Sequence, residues 1–134
     1  MLDLLTNKIF LSVAVACFAS QAIKFLYALA RERRMDFYKL WESGGMPSAH
    51  SAVVSALAFS VYLEQGVSAL FVVTLIISII FVRDALGLRA TVEKQASILK
   101  KISKEALSLR DFKGHKFLEV ATGVILGIFV ALLL

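Results

Sequence analysis

Four stretches of this chain, residues 9–30, 47–63, 67–88 and 117–134, are dominated by apolar side chains and separated by charged or glycine-containing connections. Each is near the ~20 residues that a helix needs to cross ~30 Å of hydrocarbon. In lipid the backbone must satisfy its own hydrogen bonds, so helices are the expected form. A single proline in 134 residues leaves long helices unbroken. Composition agrees, at 59% hydrophobic residues and a mean hydropathy of +0.80, against roughly 45–50% apolar in soluble domains. The expected fold is all-α, a polytopic membrane helix bundle of about four spans forming a single domain over residues 1–134. The lone Cys17 cannot form an internal disulfide. It lies inside an apolar run and reads as a small core or lipid-facing residue rather than a lipoprotein cleavage site.

The longer connections hold the charge. Residues 31–46 carry Arg31, Arg33, Arg34 and Lys39. Residues 89–116 carry Arg89, Lys94, Lys100, Lys101, Lys104, Arg110, Lys113 and Lys116, which brings the two connections to twelve of the fifteen Lys and Arg. With four spans both connections lie on one side, and the positive-inside rule puts that side in the cytoplasm. The expected location is a cell membrane of the bacterial inner-membrane type, multi-pass, with both termini outside. The short connection around Gly66 makes spans two and three a tight antiparallel pair. Within residues 89–116, Val92, Ala96, Leu99, Ile102, Ala106 and Leu109 recur every three or four positions, with Glu93, Lys94, Lys100, Lys101, Lys104 and Glu105 opposite. That period predicts an amphipathic helix on the inner leaflet, lysines toward anionic headgroups; a partner-binding stalk is the alternative. Topology thus accounts for the net charge of +5 and the pI of about 9.6. Membrane lipids are the expected partners, and nucleic acid is not.

The polar residues worth chemistry gather where helix ends meet. In Gly44-Gly45-Met46-Pro47-Ser48-Ala49-His50-Ser51 the glycines allow a turn, and Pro47 suits the first position of a helix. The N–H groups and dipole of that helix, with Ser48 and Ser51, can hold an anion, and His50 can donate a proton. In Gly114-His115-Lys116-Phe117-Leu118-Glu119, His115 and Glu119 are four apart and share a helix face. A carboxylate behind an imidazole suits nucleophilic or acid–base work, although a structural ion pair has the same spacing. Metal binding by His50, His115, Glu119 and Asp84 is a further option, but no H-E-x-x-H or Cys/His ligand spacing supports it. Lys24, Arg83 and Asp84 stand in or beside apolar spans, where ionisable groups are costly and face the bundle interior or water. Snorkelling of Lys24 and an Arg83–Asp84 ion pair are the ordinary explanations. As a set, two imidazoles, several cations and a helix N-terminus on one face suit phosphate.

These residues resemble the divergent branch of the phosphatidic acid phosphatase type 2 superfamily, which also includes acid phosphatases and vanadium haloperoxidases. Its members carry a Lys followed by Arg-Pro, a Pro-Ser-Gly-His, and a Ser-Arg followed by a His with an Asp four positions beyond. Here Lys24 is followed, after six residues, by Arg31, with Glu32 in place of the Pro. Pro47-Ser48-Ala49-His50 resembles the second motif, and His115 with Glu119 the last, with Glu for Asp. The resemblance extends over essentially the whole chain. No Ser-Arg closely precedes His115, so Arg83 or Arg89 takes the place of that arginine. The usual membrane members have six spans and an outward-facing site, whereas four spans and a cytoplasmic site are expected here.

The resemblance implies a membrane phosphatase acting on a lipid phosphate or pyrophosphate without a metal or cofactor. It implies His115 as nucleophile, Glu119 as its orienting carboxylate and His50 as the acid that protonates the leaving oxygen. Lys24, Arg31, Ser48 and Arg83 or Arg89 would hold the phosphoryl group, supported by Gly45, Pro47, Asp84 and Gly114. Two other functions stay open: a non-catalytic protein that binds phosphorylated lipid, and a small transporter or channel subunit. Gly123 and Gly127, spaced as G-x-x-x-G, suit either a homodimer or close packing of span four against span one.

Overall fold

The computed structural model describes residues 7–32, 45–102 and 117–134. Their regular structure is entirely helical: α1 (Lys8–Glu32), α2 (Ala49–Gln65), α3 (Ala69–Leu86), α4 (Leu88–Ile102) and α5 (Phe117–Leu133). Small polar residues mark the starts. Asn7 Oδ1 accepts from the Phe10 N–H at 3.0 Å, and Ser68 Oγ accepts from the Phe71 N–H at 3.2 Å, each satisfying a donor left over by the first turn. Glycines mark two ends: the Gly66 N–H donates to the Tyr62 carbonyl at 2.8 Å and the Gly87 N–H to the Arg83 carbonyl at 2.9 Å.

Pro47 differs from expectation. The helix begins at Ala49, and Ser48 is its N-cap in an extended conformation. The Ser48 side chain takes the capping role, so Pro47 precedes the helix instead of opening it.

Two helical stretches, Lys8–Tyr27 within α1 and the whole of α3, are long and apolar enough to cross a membrane. Helix α5 is apolar over 17 residues. The expected third span ends at Leu86, and Gly87 separates it from α4. Of the expected amphipathic stretch, α4 reaches Ile102, while Ala106 and Leu109 lie outside the described residues.

Helix α2 is the centre of the bundle. Ser51, Ala52, Val54, Ala56, Ala58, Ser60 and Val61 are all buried, a set too broad for one stripe, because α1, α3 and α5 each pack on a different side. Lipid offers no hydrophobic drive for helices to associate, so close packing and interhelical hydrogen bonds must hold them. The core is accordingly built from small side chains, Ala16, Ala52 and Ala56, with Val130 and the half-buried Leu126. Between α2 and α3 the Ser78 hydroxyl donates to the Val54 carbonyl at 2.8 Å. By contrast the outer face of α3, with Val72, Ile76 and Ile80, is exposed, as a lipid-facing surface requires.

Gly123 and Gly127 do not take span one as their nearest neighbour. They meet α2: a Cβ on Gly123 would press on the Ser48 carbonyl and lie 3.0 Å from Ser51 Cβ, and one on Gly127 would press on the Ala52 carbonyl and lie 2.9 Å from the Ala56 nitrogen. The expectation went astray because a G-x-x-x-G spacing specifies a close approach but not the partner. The order of these contacts makes α2 and α5 parallel. Helices α1 and α3 run the other way, so the end of α1, the start of α2, the end of α3 and the start of α5 share one end of the bundle.

Candidate functional site

That shared end carries most of the residues singled out from the sequence. Gly45 adopts φ +92, a conformation that favours glycine. A Cβ there would lie 3.0 Å from Lys24 Cε and 3.6 Å from Cδ and Cγ. The stem of Lys24 therefore runs along the bare backbone of Gly45, and any side chain at position 45 displaces it. Lys24 is half-buried, and its aliphatic carbons find cover while the ammonium is carried toward the helix ends.

Ser48 is fully buried. Its Oγ accepts from the Ser51 N–H at 3.4 Å and from the Ser51 hydroxyl at 3.0 Å. Its own N–H donates to the backbone carbonyl of Glu119 at 2.9 Å. That bond fastens the first turn of α5 to the cap of α2, and Gly123, one turn further on, lets the backbones close. Ser48 is thus a joint between two helix starts. The neighbouring His50 is exposed and Glu119 half-buried. Glu119 stands in the first turn of α5, where a carboxylate is favoured by the helix dipole.

Arg83 and Asp84 stand near the end of α3. Arg83 is exposed, Asp84 is half-buried, and among the described residues no ion pair joins them. Consecutive residues on a helix point about 100° apart, so the expected pairing is geometrically poor. Arg83 lies five residues beyond Ser78, and Ala49 lies five residues before Val54, the partner of Ser78. Arg83 is therefore level with the start of α2, about 7.5 Å along the axis from the Ser78–Val54 bond. It lines a groove with Ser55 and Val124.

Arg31 belongs to the last turn of α1 and Arg89 to the first turn of α4. Gly114 and His115 lie outside the described residues. Phe117, the second residue after His115, opens α5 at the same end of the bundle as His50. The structure thus brings Lys24, Gly45, Ser48 and the backbone of Glu119 into one cluster, with Arg83 level with it.

One polar atom gave no motif to notice. The side-chain oxygen of Gln21 is buried and has no hydrogen-bond partner among the described residues. It lies three residues before Lys24, on the same face of α1. An unsatisfied buried acceptor costs about 1–3 kcal/mol. Gln21→Leu is therefore expected to stabilise the protein by about 1 kcal/mol, read as a higher unfolding temperature in detergent. A fall of that size would mean that the amide is doing structural work.

Apolar spanning helices packed through small residues, with a polar and cationic end, define a helical integral membrane protein. The family model described as the divergent PAP2 family matches residues 5–130. The chain is also similar to the uncharacterized membrane protein YuiD of Bacillus subtilis (strain 168), 33% identical over 153 aligned positions that cover 99% of this chain and 97% of the relative. The chain belongs to the divergent PAP2 family. No solved structure matches it.

Proposed function

We propose that this protein is a membrane phosphatase that hydrolyses a lipid phosphate or pyrophosphate at the cytoplasmic face, through a phosphohistidine. The observation that carries the reading is the cluster at one end of the bundle: Lys24 laid along Gly45, the Ser48 cap, and the start of α5 fastened to that cap. Membership of the divergent PAP2 family supports it. In this reading the chain crosses the membrane four times, with both termini outside. The segment from α4 onward lies on the inner leaflet as an amphipathic helix.

The chemistry follows from the residue types. Lys24, Arg31 and Arg83 or Arg89 neutralise the phosphoryl oxygens, with the amide ends of α2 and α5 behind them. The His115 imidazole attacks phosphorus, and the bond to the leaving oxygen breaks as His50 gives that oxygen a proton. Glu119 stabilises the imidazolium. Water, deprotonated by His50, then attacks the phosphohistidine, releases phosphate and restores both histidines. Cationic side chains supply the charge that a metal would otherwise bring.

Phosphate release from phosphatidate or an isoprenyl pyrophosphate by the purified protein tests this. The expected result is turnover that survives chelator and is inhibited by vanadate. Binding of these lipids with no release would establish the second reading, a non-catalytic lipid-binding protein. The internal engagement of Ser48, which removes one N–H from the set facing an anion, is the observation in that reading's favour.

A further inference from the structure

Helices α3 and α5 both pack on α2 but scarcely on each other. The gap between them is a groove of about 610 Å³ lined by Ser55, Ser78, Ile79, Val82, Arg83, Leu86, Gly87 and Val124. The groove is open along its length rather than an enclosed cavity. The α3 contribution is one continuous stripe, residues 78, 79, 82, 83 and 86, extended by the capping Gly87. Apart from Arg83 its α3 wall is apolar in effect: Ser78 spends its hydroxyl on the Val54 and Thr74 carbonyls at 2.8 and 2.7 Å.

Two features say what fits. The first is length. Residues 78 to 87 rise about 13.5 Å along the axis, close to the ~15 Å hydrocarbon depth of one leaflet. The second is charge. Arg83 sits on the apolar stripe without an ion-pair partner among the described residues, level with the start of α2. Its guanidinium is exposed and open to a ligand, and a phosphate monoester can take it with two parallel hydrogen bonds. A groove about one leaflet long, with Arg83 toward its cytoplasmic end, complements an anionic amphiphile.

We infer that the groove between α3 and α5 receives the hydrocarbon tail of a phosphate-bearing lipid from the inner leaflet, with Arg83 taking its phosphate. This deepens the phosphatase reading and rests on its cytoplasmic, lipid-phosphate site. The groove runs along the α2 face that carries Ser48 and, two turns on, Ser55. A lipid seated in it presents its headgroup beside the Lys24–Ser48 cluster.

The test is photolabelling of the full-length protein in phosphatidylcholine nanodiscs, using phosphatidate with a diazirine in its acyl chain. Mass spectrometry of the labelled peptides and a phosphate-release assay are run on the same samples. The expected result is label concentrated on Ile79, Val82, Leu86 and Val124, displaced by unlabelled phosphatidate but not by inorganic phosphate. Arg83→Gln is expected to lower that labelling about tenfold, and Val124→Trp to abolish it by filling the groove. Gel filtration and unfolding temperature confirm that both variants fold. Label spread evenly over the outer face of α3, at Ile76 and Ile80, would overturn the proposal, as would label indifferent to Arg83→Gln. Cross-links joining two copies through Val124 would overturn it in favour of a dimer contact. Groove labelling without phosphate release upholds the groove and rejects the phosphatase; release without groove labelling does the reverse.

Discussion

His115→Ala is expected to lower phosphate release by at least about a thousandfold, with the unfolding temperature and gel-filtration profile of the protein unchanged. The size follows from the role: a nucleophile has no substitute in its step, because the covalent intermediate cannot form without it. His50→Ala removes only the proton donor and should cost less, about 10²–10⁴-fold. The stability half of the expectation rests on the bundle itself, whose core residues and cap lie on α1, α2 and α5. Brief incubation with radiolabelled lipid phosphate should trap an acid-labile, base-stable phosphoryl group on the parent chain and none on His115→Ala. Full turnover by the alanine variant would remove phosphohistidine chemistry from this protein.

Gly127→Val is expected to unfold the protein or to cost at least about 3 kcal/mol. Even the first added carbon meets backbone atoms, the Ala52 carbonyl and the Ala56 nitrogen, which cannot rotate away as a side chain can. Relief requires α5 to withdraw from α2, and that separation strips contacts from Ala52, Ala56 and Val130 together. Gly127→Ala should already lower the unfolding temperature in detergent. The two glycine uses are separable: if the spacing served a homodimer, the valine variant would yield a folded monomer of unchanged stability. An unaltered melting curve for Gly127→Ala would mean that the two helices do not cross at this point.

Local signals in the sequence found the elements; neighbours were harder to read. The apolar runs locate α1, α2, α3 and α5 to within a few residues, because crossing length and the need to satisfy the backbone are properties of a single segment. Gly45 stands out for a similar reason, as a residue for a turn, whereas Ser48 reads in the string as an anion contact and is in the structure the side-chain acceptor that caps α2. Pro47 is two positions short of the helix because proline and serine compete for its start, and the serine side chain bonds to the first turn whereas proline merely tolerates it. The partner of Gly123 and Gly127 was not legible, since small residues permit approach from any helix. Gln21 was passed over because its meaning lies in what fails to face it. The Arg83–Asp84 pairing looked natural in a linear string and is poor on a helix, where adjacent side chains diverge.

Because α2 and α5 lie side by side and point the same way, their peptide dipoles reinforce each other at one end of the bundle, where an antiparallel pair would cancel. Each contributes roughly half a positive elementary charge at its amide end. A static field of this kind belongs to the main chain, so no single side-chain replacement removes it. Some attraction for a dianion should therefore remain after the loss of any one lysine or arginine, as a residual beneath the affinity which that side chain supplied.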